Sequence, residues 1–245
     1  MNSAASILVV QHQDDDPPAH FGRWLVEAGC SLDVRRPDLG EDLPATCEGH
    51  AGLMVLGGAM GAHDDADHPW LSATKRLIRS AGEQHIPTLG ICLGHQLIAV
   101  ALGGASRRNP LGQQAGLIEV GWSTAAREDA LVGAASLTRA RGVQWNYDVV
   151  NPMPTGTVVL AHAPAGEVQA ARFGPLMWGL QMHPEADESI VGHWMTRGER
   201  SEIAARGDDP DAVLAEIGAA RAELDRTWRP VATAFADILD RRIDA

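Results

Sequence analysis

The chain has 245 residues, 45% of them hydrophobic, and a formal charge of −12. That is enough apolar material to bury one α/β core with an appendage, and the acidity argues against nucleic acid or an anionic membrane as a main partner. Its three cysteines, Cys30, Cys47 and Cys92, have no spacing suited to a disulfide framework or a zinc site. The start, Met-Asn-Ser-Ala-Ala-Ser, shows neither a basic segment nor a signal-like apolar run. No stretch approaches the ~20 apolar residues of a membrane span, so the expectation is a cytoplasmic chain in a reducing compartment.

Taken in chain order, Ile7 to Gln11 reads as a central strand. Pro18 to Ala28 reads as a helix with Phe21, Trp24 and Leu25 as its apolar stripe, stopped by Gly29. Ser31 to Arg35 is the next strand, and a polar loop runs to about Glu48. Leu53 to Leu56 is a buried strand that delivers Gly57-Gly58, and Trp70 to Gln84 is a helix with Trp70, Leu71, Leu77 and Ile78 facing in. Thr88 to Ile91 is a strand, followed at once by a helix over Leu93 to Leu102. Leu117 to Val120 and Val158 to Ala161 are strand-like, while Val143 to Val149 reads as a loop. Val168 to Arg172 and Met177 to Gln181 form a hairpin around Phe173-Gly174-Pro175, and a helix closing over Gly192 to Arg197 follows. The β–α alternation predicts a mainly parallel sheet with helices on both faces.

From Gly198 the composition shifts, which predicts one domain over 1–198 and a helical extension over 199–245. Asp209 is placed as a helix N-cap, with Pro210 in the first turn. Val213, Ile217, Ala220, Leu224 and Trp228 share one face, and Pro230 starts a second helical piece with Val231, Phe235, Ile238 and Leu239. Two readings of this stripe stay open: packing against its own domain, or an interface with a second copy or a partner.

The chemistry concentrates on Gly90-Ile91-Cys92-Leu93-Gly94-His95-Gln96. A nucleophile on a sharp strand-to-helix turn is lifted out of the sheet, and the helix beginning after it points free N–H groups at the sulfur, favouring a thiolate. The alternative is a buried structural cysteine. A thiol nucleophile needs a base, and the base an orienting partner. In His183-Pro184-Glu185, His183 suits the base and Glu185 can accept from its other ring nitrogen. The backbone N–H of Leu93, directly after Cys92, suits one donor of an oxyanion site. His63-Asp64-Asp65 with Asp67-His68 has metal-like ligand types, but it precedes a helix start, where aspartates favour the dipole. No metal is expected there. His95 lies one turn past Cys92, so His183 is preferred as base.

Together, Gly57-Gly58, the elbow from Gly90 to Gln96 and His183-Pro184-Glu185 resemble the class I (triad-type) glutamine amidotransferases, over roughly residues 5 to 198. The chain looks most similar to single-domain members related to the amidotransferase part of GMP synthetase. The resemblance implies a flavodoxin-like α/β fold and a catalytic triad of Cys92, His183 and Glu185. It implies hydrolysis of the side-chain amide of glutamine, or of a γ-glutamyl compound, through a γ-glutamyl thioester. It gives the second oxyanion donor to Gly58, and substrate binding to Gln96 and the stretch Asn146, Tyr147 and Asp148. The family often has Pro where this chain has Ala59, and His then Gly where it has Asn146 and Tyr147. No phosphate loop, dinucleotide fingerprint or metal set is present, so no cofactor is expected. The partner would be a synthetase taking ammonia in trans. The alternatives are a self-sufficient γ-glutamyl amide or peptide hydrolase, and a non-catalytic binding protein of the same fold.

Overall fold

The computed structural model describes residues 5–197 and 199–243. Met1 to Ala4, on which the reading of a leader-free start rests, lie outside the described residues, as do Gly198 at the expected domain boundary and residues 244–245.

The strands are β1 (Ser6–Val10), β2 (Ser31–Arg35), β3 (Gly52–Val55), β4 (Thr88–Ile91), β5 (Ser106–Arg108), β6 (Gln114–Trp122), β7 (Ala140–Asn146), β8 (Asp148–Val150), β9 (Val158–His162), β10 (Val168–Gly174) and β11 (Met177–Leu180). The helices are α1 (Ala19–Glu27), α2 (Trp70–Glu83), α3 (Leu93–Ala101), α4 (Glu188–Trp194), α5 (Glu199–Ala205), α6 (Pro210–Ala219) and α7 (Arg221–Ile243). One sheet runs in the order β2-β1-β3-β4-β11-β10-β9-β6-β7, and β5 pairs with β8 beside it. From β2 to β11 the pairings are parallel; from β11 outward to β7 they are antiparallel. The parallel half is the expected doubly wound sheet, and the antiparallel half grows out of the hairpin β10–β11.

Strand alternation divides the core into two layers. Ile7 and Val9 of β1 join Met54, Leu89 and Ile91 on the face covered by α1 and α7. Leu8 and Val10 point the other way, with Leu53 and Val55, into the layer under α2 and α3. The central parallel strands β1, β3 and β4 are therefore apolar on both sides, as a sheet covered on both faces requires.

Two expectations need correction, and of the two readings of the C-terminal stripe, packing on its own domain holds. Val143–Asn146 is strand β7 and Asp148 opens β8, so within that stretch only Tyr147 stands between strands. Gln144 and Asn146 are buried there, and Gln144 donates to Gln169, which donates to Gln114 at 3.1 Å. Pro230 lies inside α7 rather than starting a new helix. An internal proline removes one helical hydrogen bond, and here Trp228, Val231 and Phe235 are fully buried on either side of it, so packing holds the helix continuous. The apolar stripe of α6 and α7 lies in the core of its own chain: Ile217, Leu224, Trp228, Phe235 and Leu239 all join the layer of β1 and α1. Trp228 Nε1 donates to the carbonyl of Arg141 at 3.0 Å, and the Arg141 guanidinium pairs with Glu216 and Glu223, each at 2.7 Å. That stripe is no free surface for a second copy. The Asp209 cap is as expected, accepting from the N–H of Asp211 at 3.0 Å.

Candidate active site

Cys92 sits between β4 and α3 with φ 50° and ψ −106°, a backbone conformation that residues with a Cβ rarely adopt. Neighbouring backbone enforces it. Cys92 N–H donates to the carbonyl of Leu180 at 2.8 Å, and Gly94 N–H to that of Leu56 at 3.1 Å. Both flanking glycines are required by contact. A Cβ on Gly94 would lie 2.0 Å from the carbonyl oxygen of Val55, and one on Gly90 2.5 Å from the carbonyl of Gly94. Leu93 is the first residue of α3, so its N–H has no intrahelical acceptor and remains available beside the sulfur.

His183 arrives three residues beyond β11, fixed by its N–H bond to the carbonyl of Val143 at 2.8 Å. Its Nδ1 is 2.7 Å from Glu185 Oε1, and both side chains are buried. This bond orients the ring with Nε2 as the free nitrogen; Nε2 makes no hydrogen bond among the described residues. Burial pulls the imidazole pKa down, but the charges of Cys92 and Glu185 outweigh it and raise the pKa well above the ordinary histidine value. The imidazolium is therefore supported from both ends. The indole of Trp194, from α4, lies 4.6 Å from the imidazole centroid to centroid, and its Nε1 donates to the carbonyl of Asp15 at 2.9 Å.

Gly57 and Gly58 follow β3 at the same end of the sheet. A Cβ on Gly57 would come 3.1 Å from His183 Cε1, and one on Gly58 3.0 Å from Leu93 Cδ2. The next residue supplies an unexpected fastening: Ala59 N–H donates to Gln13 Oε1 at 2.9 Å, a bond that a proline could not make.

A cavity of about 410 Å³ opens over Cys92 and His183 and reaches Gln96, Asn146, Tyr147 and Asp148. All four predicted binding residues come to it, but their side chains differ in use. Gln96 Nε2 is committed to the Asp148 carbonyl at 3.2 Å and to Gln181 Oε1 at 3.3 Å. Asn146 Nδ2 donates to Gln114 Oε1 at 3.2 Å and to the Asp148 carbonyl at 3.1 Å. Tyr147 is half-buried, its hydroxyl donating to Glu202 of α5 and the Arg108 guanidinium lying 4.1 Å over its ring. Burial, followed by Glu202, pushes the phenol pKa up. Sequence reasoning missed Gln13, Arg108, Gln181, Trp194 and Glu199 around this centre. Only Gln181 left a local signal, since strand alternation puts it on the same side as His183.

His95 takes no part in the cavity. It is fully buried against Phe173, ring centroids 5.3 Å apart, and burial lowers its pKa to about 4. In the acidic stretch before α2, Asp65 pairs with Lys75 at 2.6 Å, and Asp64 accepts from the N–H of Gly61 at 2.7 Å. Among the described residues no three His, Cys, Asp or Glu side chains are grouped to hold a metal ion.

Comparison with known proteins now defines the class. The sequence profile of the glutamine amidotransferase class-I family matches residues 21–199, and the chain belongs to that family. A 111-residue stretch is 40% identical to one subunit of the glutamine-hydrolyzing GMP synthase of Saccharolobus solfataricus, covering 45% of this chain and 56% of that one. Over 141 residues it is 26% identical to gamma-glutamyl peptidase 5 of Arabidopsis thaliana, covering 57% of this chain and 55% of that one. The chain thus spans about half the length of these two relatives. The crystal structure of a glutamine amidotransferase from Methylobacillus flagellatus superposes with a TM-score of 0.83 at 26% identity, covering 96% of each chain.

Proposed function

We propose that this chain hydrolyses the side-chain amide of glutamine, or of a γ-glutamyl compound, through a thioester on Cys92. The Cys92 thiolate attacks the amide carbon, and the oxyanion is held by the N–H groups of Leu93 and Gly58. The imidazolium of His183, oriented by Glu185, gives its Nε2 proton to the nitrogen as the C–N bond breaks, releasing ammonia or an amine. Neutral His183 then takes a proton from water as the water oxygen attacks the thioester carbon. Breaking the C–S bond returns the thiolate and frees glutamate. No step calls on a cofactor. The observation that carries this reading is the forced positive φ of Cys92 at the mouth of the cavity that His183 also lines.

A synthetase taking the ammonia in trans is the partner this reading expects, and it is supported by the Saccharolobus relative being named as one subunit of a synthase. The second reading, a self-sufficient hydrolase of larger γ-glutamyl compounds, is favoured by one feature: Glu199 of α5 lines the cavity beside Tyr147, extending it past the reacting centre. The test is release of glutamate, with ammonia or amine, from glutamine and a panel of γ-glutamyl amides and peptides. Wild type should turn over at least one of them, and Cys92→Ala should lose about 10³-fold or more. Turnover retained in Cys92→Ala would overturn the proposal. A rate on glutamine that rises only with an added synthetase favours the first reading; a preference for a larger compound without one favours the second.

A further inference from the structure

We infer that Gln181 stabilises and aims the Cys92 thiolate, with Gln96 locking its amide in the orientation that does so; the inference rests on Cys92 being the nucleophile. Gln181 is fully buried, one residue past β11, and its Nε2 donates to Cys92 Sγ at 3.6 Å. An amide can face either way, so the question is what makes the NH₂ end face the sulfur. The neighbours answer it. The carbonyl of Asp148 can only accept, so the Gln96 group beside it, at 3.2 Å, must be the NH₂ end. The other proton of that NH₂ is directed at Gln181, 3.3 Å away, which must therefore present its oxygen. The Gln181 NH₂ is then turned toward Cys92, the only orientation that satisfies the whole relay.

A thiol is a weak acceptor and a thiolate a strong one, so a fixed, dry donor favours the charged form. The relay also joins the substrate-side stretch at Asp148 to the sulfur through two side chains. Burial alone does not require this pair: a methionine would fill similar volume at either position and bring no unpaired amide.

The titratable and charged groups lining the cavity with Cys92 are His183, Asp16, Asp64, Arg108, Asp148 and Glu199, from the segment after β11, the loops after β1 and β3, strands β5 and β8, and helix α5, with Glu185 behind His183. None is altered by substitution at position 181 or 96. The test is the pH dependence of Cys92 alkylation by iodoacetamide in the full chain, followed by mass spectrometry, with circular dichroism to select folded variants. Gln181→Met should move the midpoint up by about one pH unit, slowing alkylation about tenfold at pH values below the wild-type midpoint. Gln96→Met, which frees the Gln181 amide to turn, should move it the same way by less. A wild-type midpoint in folded Gln181→Met overturns the inference; should that variant fail to fold, a wild-type midpoint in Gln96→Met does so. Failure of the nucleophile reading looks different, because wild type itself would then alkylate with the midpoint of an ordinary thiol.

Discussion

Trp194 packs against His183 in a tilted arrangement, with ring centroids 4.6 Å apart and planes inclined by 54°. The indole walls one side of the imidazole while Glu185 holds the Nδ1 edge, so the ring has little freedom to turn away from the sulfur. An aromatic face also favours a cation beside it. Trp194→Phe keeps a ring but loses the bond to the Asp15 carbonyl; it should cost about 1 kcal/mol in urea unfolding. Trp194→Leu removes the aromatic face, and the alkaline limb of its kcat/KM profile should move to lower pH. An unmoved limb would make Trp194 a packing residue only.

The His183–Glu185 pair makes a prediction with a definite sign. The raised pKa of His183 means that the folded chain binds this proton more tightly than the unfolded chain. That stabilisation is fully present below the unfolded value of about 6.5 and is lost as pH rises through the folded value. Removing the Glu185 charge removes part of it. Glu185→Gln should therefore lower Tm more at about pH 6 than at about pH 9. Its turnover should fall by about 10- to 100-fold, less than in His183→Ala, because an amide can still orient the ring. The same Tm loss at both pH values would contradict the pairing.

Backbone crowding at the elbow can be tested against an open glycine elsewhere. A Cβ at Gly94 meets Val55 backbone at 2.0 Å, and neither chain can yield without moving β3 or α3. Gly94→Ala should lose about 3 kcal/mol or more of stability, or fail to fold. Gly192, inside α4, has nothing within 4 Å of an added Cβ, so Gly192→Ala should gain about 0.5–1 kcal/mol. Urea titration of both variants checks this.

Tyr147 ties the site rim to α5 through Glu202, with Arg108 over its ring. If this tie shapes the outer cavity, Tyr147→Gly should shift the ratio of kcat/KM between glutamine and larger γ-glutamyl compounds by about 1–3 kcal/mol. Tyr147→Phe isolates the bond to Glu202. Wild-type ratios in both variants would make Tyr147 a bystander.

How much of this was legible beforehand follows from where each signal resides. The elbow was readable because its information is local: β4 covers Thr88–Ile91 as expected, and a glycine two residues on each side of Cys92 marks a backbone with no room for Cβ. Strand β7 was not, since Gln144 and Asn146 are buried and the partners of their NH₂ groups, Gln169, Gln114 and the Asp148 carbonyl, come from other segments or the next strand. Gln13 and Trp194 reach the centre from the loop after β1 and from α4, positions set by tertiary packing, and no local pattern announces them. Within α7, burial on both sides overrode the propensity of Pro230 to break a helix.

The central claim is that Cys92 alone is the nucleophile, and a glutamine-analogue diazo-ketone tests it most directly. Cys30 and Cys47 are also buried, and burial pushes both thiols up to about 11, where they are poor nucleophiles near neutral pH. After incubation of the full chain, peptide mass spectrometry should find one adduct, on Cys92, with stoichiometric loss of turnover. An adduct on Cys30 or Cys47 with Cys92 unmodified would contradict the account.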